Sequence, residues 1–191
     1  MAMNFLKIAS GIDPVPLLFA IKNQPALWGR SFRTSFPNSP HREVLDCLLR
    51  VQVPEKSEDP RETFWTPAWA CLPQARPLVY GLFSRVEGER LGRTMLTWMV
   101  PGTTIYRHRD IGPKEDGFYD GEPYWSRLHV VLEGNERCTF TCGEDGQEET
   151  VVMSVGEAWW FNAALLHQCH NGGTSDRVHL ILDVHTAQFG A

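Results

Sequence analysis

The sequence predicts a mainly β protein with N-terminal helices, its second half a double-stranded β-helix of the jelly-roll type. Two observations predict it. From Gly92 onward, short segments rich in β-branched and aromatic residues recur along the chain. Turn residues divide them: Glu133-Gly134-Asn135, Gly143-Glu144-Asp145-Gly146, Val155-Gly156 and Asn171-Gly172-Gly173 all sit between apolar runs. Short strands at that spacing make a sandwich or barrel, not a βαβ fold.

With 191 residues, 42% of them hydrophobic, the chain can bury a sizeable core. The expected organisation is one integrated domain: residues 1–90 supply helical and loop elements packed on the barrel, and residues 91–191 form the barrel. A net charge of -5 and a pI near 5.8 argue against a nucleic-acid partner. No apolar run reaches the ~20 residues that span a membrane. The N-terminus, broken by Asp13, Pro14 and Pro16, does not read as a signal peptide. Five cysteines without a CxxC pair fit a reduced, cytoplasmic setting.

Asp13-Pro14 reads as an N-cap followed by proline at the first helical position, opening a short helix with Val15, Leu18, Phe19 and Ile21 on its apolar face. Residues 28–42 read as a loop. Within it His41 and Arg42 read as solvated, with contact to an acidic ligand as the alternative. Val44 to Val53 is a short helix or a strand, and residues 54–62 a charged, exposed loop. Leu78 to Glu87 reads as a helix with Leu78, Leu82 and Val86 on one face and an Arg85–Glu89 charge pair. The strands then follow: Thr94–Val100, Thr104–His108, Ser126–Leu132, Arg137–Cys142, Thr150–Ser154, Ala158–Phe161, Leu166–His170 and Arg177–Val184.

The chemistry gathers around PGTTIYRHRD, residues 101–110. His108 and Asp110 are ligand-type residues two apart, and alternation along a strand would turn both to one side. His167 opens a late strand, and Arg177 the last one. Arg127 and His129 share one face of a central strand. Two histidines and a carboxylate leave half an octahedron open, the arrangement of non-haem Fe(II) oxygenases. An arginine at the end of the last strand would grip a carboxylate in two-pronged fashion. Plainer assignments stand beside these: a surface His108–Asp110 pair, a buried hydrogen-bonded His167, and Arg177 paired with Asp176 or Asp183. Cys138 and Cys142 read as core packing in preference to a zinc site.

At these residues the sequence resembles the aspartyl/asparaginyl β-hydroxylase domain family, within the cupin-like, 2-oxoglutarate- and Fe(II)-dependent oxygenases. The resemblance spans Leu91 to Thr186. It rests on the PGT turn leading to His108, the RLH triplet Arg127–His129, the strand GEAWWFN at 156–162, and HQCHNGGTSDRVHLILD at 167–183. The LGR, HxD, WWF and DRxHLxxD elements are those of compact bacterial and phage members, whose substrate is unassigned.

The resemblance implies metal ligands His108, Asp110 and His167, with the ten-residue His-to-Arg interval selecting His167 over His170. It implies Fe(II), 2-oxoglutarate and O₂ as cofactor and co-substrates. Arg177 would hold the distal carboxylate of 2-oxoglutarate, assisted by Thr97, with Met99, Arg127 and His129 at the same co-substrate site. Animal members carry glycine where this chain has Asp110, so a complete facial triad is expected here. The implied reaction hydroxylates an unactivated C–H of an amino acid or of an Asp/Asn-type residue in a peptide or protein. Tyr124, Trp125 and Trp159 are candidate substrate walls, and residues 111–125 a candidate lid. Two other classes stay open: a cupin-like metalloprotein that does not use 2-oxoglutarate, and a non-catalytic jelly-roll binding module.

Overall fold

A computed structural model describes residues 3–53, 56, 62–110 and 125–189. In chain order its strands are β1 (Phe5–Ala9), β2 (Leu45–Val51), β3 (Phe64–Trp65), β4 (Arg90–Met99), β5 (Thr104–His108), β6 (Trp125–Glu133), β7 (Cys138–Cys142), β8 (Glu149–Val152), β9 (Ala158–Phe161), β10 (His167–Asn171) and β11 (Arg177–His185). Helices α1 (Val15–Lys22), α2 (Phe32–Ser35), α3 (Pro67–Cys71) and α4 (Ala75–Arg85) all precede β4. One sheet runs β1-β9-β6-β11-β4-β2-β3 and the other β5-β10-β7-β8, every pairing antiparallel. The mainly β, jelly-roll expectation is met, and the strands expected after Gly92 appear within a few residues of their places.

Alternation along the strands divides the larger sheet into two chemistries. Val178, Leu180, Leu182 and Val184 of β11, with Leu128, Val130 and Leu132 of β6, face a layer that includes Leu17 and Ile21 of α1 and Val79 and Leu82 of α4. The intervening residues face the smaller sheet. There Phe161, Met99 and Val131 meet Phe140, Ile105 and Cys169 in a second, inner cluster. The segment expected to be helix or strand at Val44 to Val53 is β2, which pairs with β4 inside the larger sheet. Strands β1 and β3 were not legible from pattern, being short and completed by partners far along the chain.

Three local expectations are corrected. Helix α1 buries Leu17 and Ile21, four apart, and leaves Val15 and Phe19 63% and 71% exposed. A two-turn helix lying on a sheet face needs only one i,i+4 stripe. Helix α4 begins at Ala75, and its buried residues are Ala75, Val79 and Leu82, with Leu78 only partly covered. The expected Arg85–Glu89 pair does not form: Arg85 donates to the Ile8 carbonyl at 2.9 Å, and Glu89, beyond the helix, meets His185 at 2.8 Å. Cys138 and Cys142 pack in the core, and burial pushes the Cys142 thiol up to about 12. All five cysteines are free. Among the described residues no helix is long and apolar enough to cross a membrane.

The chain from α2 to β2 is tied down by a buried ion pair. Arg33 Nε and Nη2 reach Asp46 Oδ2 and Oδ1 at 2.9 and 3.3 Å, and both residues are buried. Ser39 Oγ donates to the Arg33 carbonyl and accepts from the His41 amide. Replacing Asp46 by alanine leaves a buried guanidinium without its counter-charge, and the expected loss is about 3–5 kcal/mol. Urea unfolding of Asp46→Ala against the parent protein measures it.

Candidate metal and co-substrate site

The inner face of the larger sheet is polar where an ordinary sandwich is aliphatic. Arg127 and His129 of β6, Arg177, His179 and Asp183 of β11, and Thr97 of β4 all lie buried there. Register orders them along the barrel. Arg177 pairs with Met99, His179 with Thr97, and Asp183 with Arg127. Arg177 therefore stands at one end, the two buried imidazoles in the middle, and Arg127 with Asp183 at the other.

Across from the Arg127 end stand His108 and His167, partners in the β5–β10 ladder. A bulge brings His108 there: Cys169 pairs with Ile105 but His167 with His108, so two β5 residues oppose Gln168. The extra residue turns both Ile105 and His108 inward, which simple alternation would not do. Strand β5 ends at His108. Asp110 reaches the site from the bend beyond it, held by its amide on the Ala163 carbonyl at 3.1 Å. The expected convergence of His108 and Asp110 is present, produced by a bulge and a bend.

Backbone carbonyls fix the tautomers. His108 Nδ1 lies 2.6 Å from the Tyr106 carbonyl and His167 Nδ1 lies 2.9 Å from the Leu165 carbonyl. A carbonyl only accepts, so each Nδ1 carries a proton and Nε2 is the ring nitrogen left to act as a ligand. Both Nε2 atoms turn to Asp110, at 3.6 Å for His108 and 3.3 Å for His167. His108 Nε2 is buried without a hydrogen-bond partner. Burial pushes the Asp110 carboxyl up, but the Arg127 charge beside it prevails and holds it well below the usual carboxylate range. Two imidazole lone pairs and an ionised carboxylate, gathered out of water, form a donor set for a divalent cation.

A third histidine belongs to this cluster. His41, read from sequence as solvated, is 8% exposed and packs edge-to-face on His108, ring centroids 4.5 Å apart. His41, His108 and Asp110 each present a ligand-type atom within 4.8 Å of the others. The Pro40 carbonyl accepts from the Tyr106 amide, so the edge of β5 carries His41 inward. Burial, with Arg33 and His108 nearby, pushes the His41 imidazole well below its usual value, so it is neutral, and its Nδ1 has no partner. Arg42, by contrast, lies over the Tyr106 ring at 3.6 Å outside the barrel.

At the far end Arg177 is 2% exposed. Its contacts are the Met99 sulfur at 3.2 Å and His179 Nδ1 at 3.1 Å, and His179 in turn lies 3.3 Å from His129. Asp183, one of the partners considered from sequence, is taken by Arg127. Among the described residues no carboxylate pairs with Arg177. Burial and the Arg177 charge push His129 and His179 well below the usual imidazole value, so neither offsets or adds to that charge. Thr97 Oγ1 and His129 Nε2 are buried without partners beside it. A buried guanidinium with neutral neighbours is costly unless an anion joins it. Phe140, Phe161 and Val131 belong to the inner apolar cluster between the two sheets.

Trp159 faces the inner side, its Nε1 donating to Glu157 at 2.9 Å, while Trp160 packs under the helices. The candidate substrate residue Tyr124, the side chain of Trp125 and the candidate lid at 111–124 lie outside the described residues.

The family pattern described as Aspartyl/Asparaginyl beta-hydroxylase matches residues 61–187, taking in β3 to α4 as well as the barrel. L-proline cis-4-hydroxylase of Rhizobium meliloti (strain 1021) is 26% identical over 148 residues, 75% of this chain and 48% of that protein. The chain thus spans about half the length of that curated relative. Two solved structures share the fold. A prolyl hydroxylase of Trichoplax adhaerens, in complex with a hypoxia inducible factor peptide fragment, superposes with TM-score 0.64 at 12% identity, covering 97% of this chain and 85% of that one. A Pseudomonas putida prolyl-4-hydroxylase does so with TM-score 0.55 at 14% identity, covering 96% and 92%. Matched by the family pattern over well over half its length, the chain belongs to the aspartyl/asparaginyl β-hydroxylase family.

Proposed function

We propose that the protein is an Fe(II)- and 2-oxoglutarate-dependent hydroxylase acting on a carbon of an amino acid, free or carried in a peptide. One observation carries the reading. A buried His–Asp–His donor set and a buried arginine with no carboxylate partner among the described residues lie at opposite ends of one barrel interior. The family match, and a relative that hydroxylates proline, support it on independent grounds. The family description points to Asp or Asn and the curated relative to proline, so the common class is an amino acid.

In this reading His108, Asp110 and His167 hold the iron, each imidazole through Nε2 because its Nδ1 proton is committed to a carbonyl. Arg177 holds the distal carboxylate of 2-oxoglutarate. Thr97 Oγ1, cross-strand from His179 and unpartnered, adds a hydroxyl to that grip, and Met99 packs against the same guanidinium. His129 stands between, its imidazole kept neutral so that it adds no charge. When bound, iron with 2-oxoglutarate and O₂ supplies the oxidising power that hydroxylates an unactivated C–H, with succinate and CO₂ released. The chain contributes orientation and the exclusion of water. Phe140 and Phe161 touch the rings of both His129 and His167, so the space between Arg177 and the donor set is lined by apolar surface. His41, beside His108 and Asp110, is the substrate-side polar group, with a neutral ring nitrogen free to accept or donate.

Anaerobic titration of the protein with Fe(II) and 2-oxoglutarate should raise the metal-to-ligand charge-transfer absorption, and its absence would overturn the reading. Arg177→Ala should weaken 2-oxoglutarate binding on the order of 100-fold, since truncating one side of a buried charge pair costs ~2–5 kcal/mol. Unchanged affinity in that variant favours a cupin-like metalloprotein without this co-substrate. Asp110→Ala should abolish the absorption while the apoprotein keeps its circular dichroism. His41→Ala should keep the absorption and lose product formation, measured as hydroxylated amino acid per succinate released.

A further inference from the structure

The resemblance places Arg127 at the co-substrate, but its guanidinium is turned elsewhere. Nε and Nη2 donate to Asp183 Oδ1 and Oδ2 at 2.7 and 3.0 Å, a two-pronged pair between neighbouring strands in register. That fork sets the plane and direction of the guanidinium. Nη1 then meets Asp110 Oδ2, the same oxygen that lies 3.3 Å from His167 Nε2. Both contacts are buried: the Arg127, Asp110 and Asp183 side chains retain 9%, 14% and 11% of their surface.

Asp110 needs such a partner. The two histidines sit on paired strands with each Nδ1 anchored to a carbonyl, whereas Asp110 lies on a bend past the end of β5. Its backbone is held at Ala163, which leaves its side-chain torsions open. A ligating carboxylate is oriented by its outer hydrogen bonds as a ligating histidine is by its second nitrogen. Opposing alternatives are weak. Arg177 supplies a buried charge with no carboxylate partner among the described residues, at the opposite end of the barrel.

We infer that Arg127, clamped by Asp183, is a positioning residue that holds the Asp110 carboxylate in place for a divalent cation. The inference rests on the metal reading above and assigns Arg127 to the cation end of the site. The pairing also ties the last strand, β11, to the ligand set, since Arg177 and Asp183 lie on the same inner face of it.

Mn(II) binding, followed by electron paramagnetic resonance on the intact protein under argon, tests this without turnover. Arg127→Met should weaken Mn(II) about 10- to 100-fold, the usual effect of removing an outer-sphere partner of a ligand. Arg127→Lys keeps the charge but cannot fork onto Asp183 and reach Asp110 together, so it should fall between the two. Asp183→Asn, which touches no ligand position, should also weaken Mn(II). In each variant 2-oxoglutarate affinity at saturating Mn(II) should stay within about twofold of the parent. If Arg127→Met does not fold, the lysine and asparagine variants carry the test. Parent-like Mn(II) affinity, or a loss confined to 2-oxoglutarate, would overturn the assignment. A parent protein that binds no Mn(II) would instead overturn the metal reading on which the assignment depends.

Discussion

Burial of charge on the inner face of the β6–β11 pair is the constraint around which the rest of the molecule is arranged. Arg127, Arg177 and Asp183 are withdrawn from water with His129 and His179 between two sheets. Isolated, each charge would cost several kcal/mol. Arg127 and Asp183 neutralise one another across the strand pair. Asp110 draws on that pair from a bend, and Arg177 has no carboxylate partner among the described residues. The polar face is tolerable because the opposite face of the same strands is mostly aliphatic, with Leu128, Val130, Leu180 and Leu182 packed against the helical layer. Strand alternation lets one element be core on one side and site on the other.

That division also explains the role of the chain before β4. Its helices cover the aliphatic face, β1 and β2 extend the sheet, and the segment between α2 and β2 closes the edge of β5. The closure delivers His41 to His108. The Arg33–Asp46 pair and the Ser39 hydroxyl hold this segment, so the imidazole is presented by a braced loop. The first half thus contributes to the site through packing, although no motif in it announces chemistry.

Legibility from sequence followed the range of the interactions. His108 and Asp110 stood out by their spacing at a strand end, and His167 and Arg177 by the ten-residue interval of the family that the sequence resembles. His41 did not, since its burial comes from the Pro40 contact with Tyr106, more than sixty residues away. Nor did the partner of Arg127: alternation shows that Arg127 faces inward, but register with β11 selects Asp183 and the bend after β5 supplies Asp110. The exposed Val15 and Phe19 show the converse. Their apolar character suggested a buried face, and the placement of α1 on the sheet left them outside.

By itself, then, the amino-acid sequence determined the alternating strands, the turns between them, and the ligand-type residues at their ends. Those follow from local sterics and from the period of two. Only the tertiary structure decided which of these residues share a space, because strand register, the β5 bulge and the closure of the barrel edge join distant parts of the chain. The bulge is the clearest case: one extra residue opposite Gln168 turns His108 toward His167 and Asp110, and nothing local to that stretch encodes it.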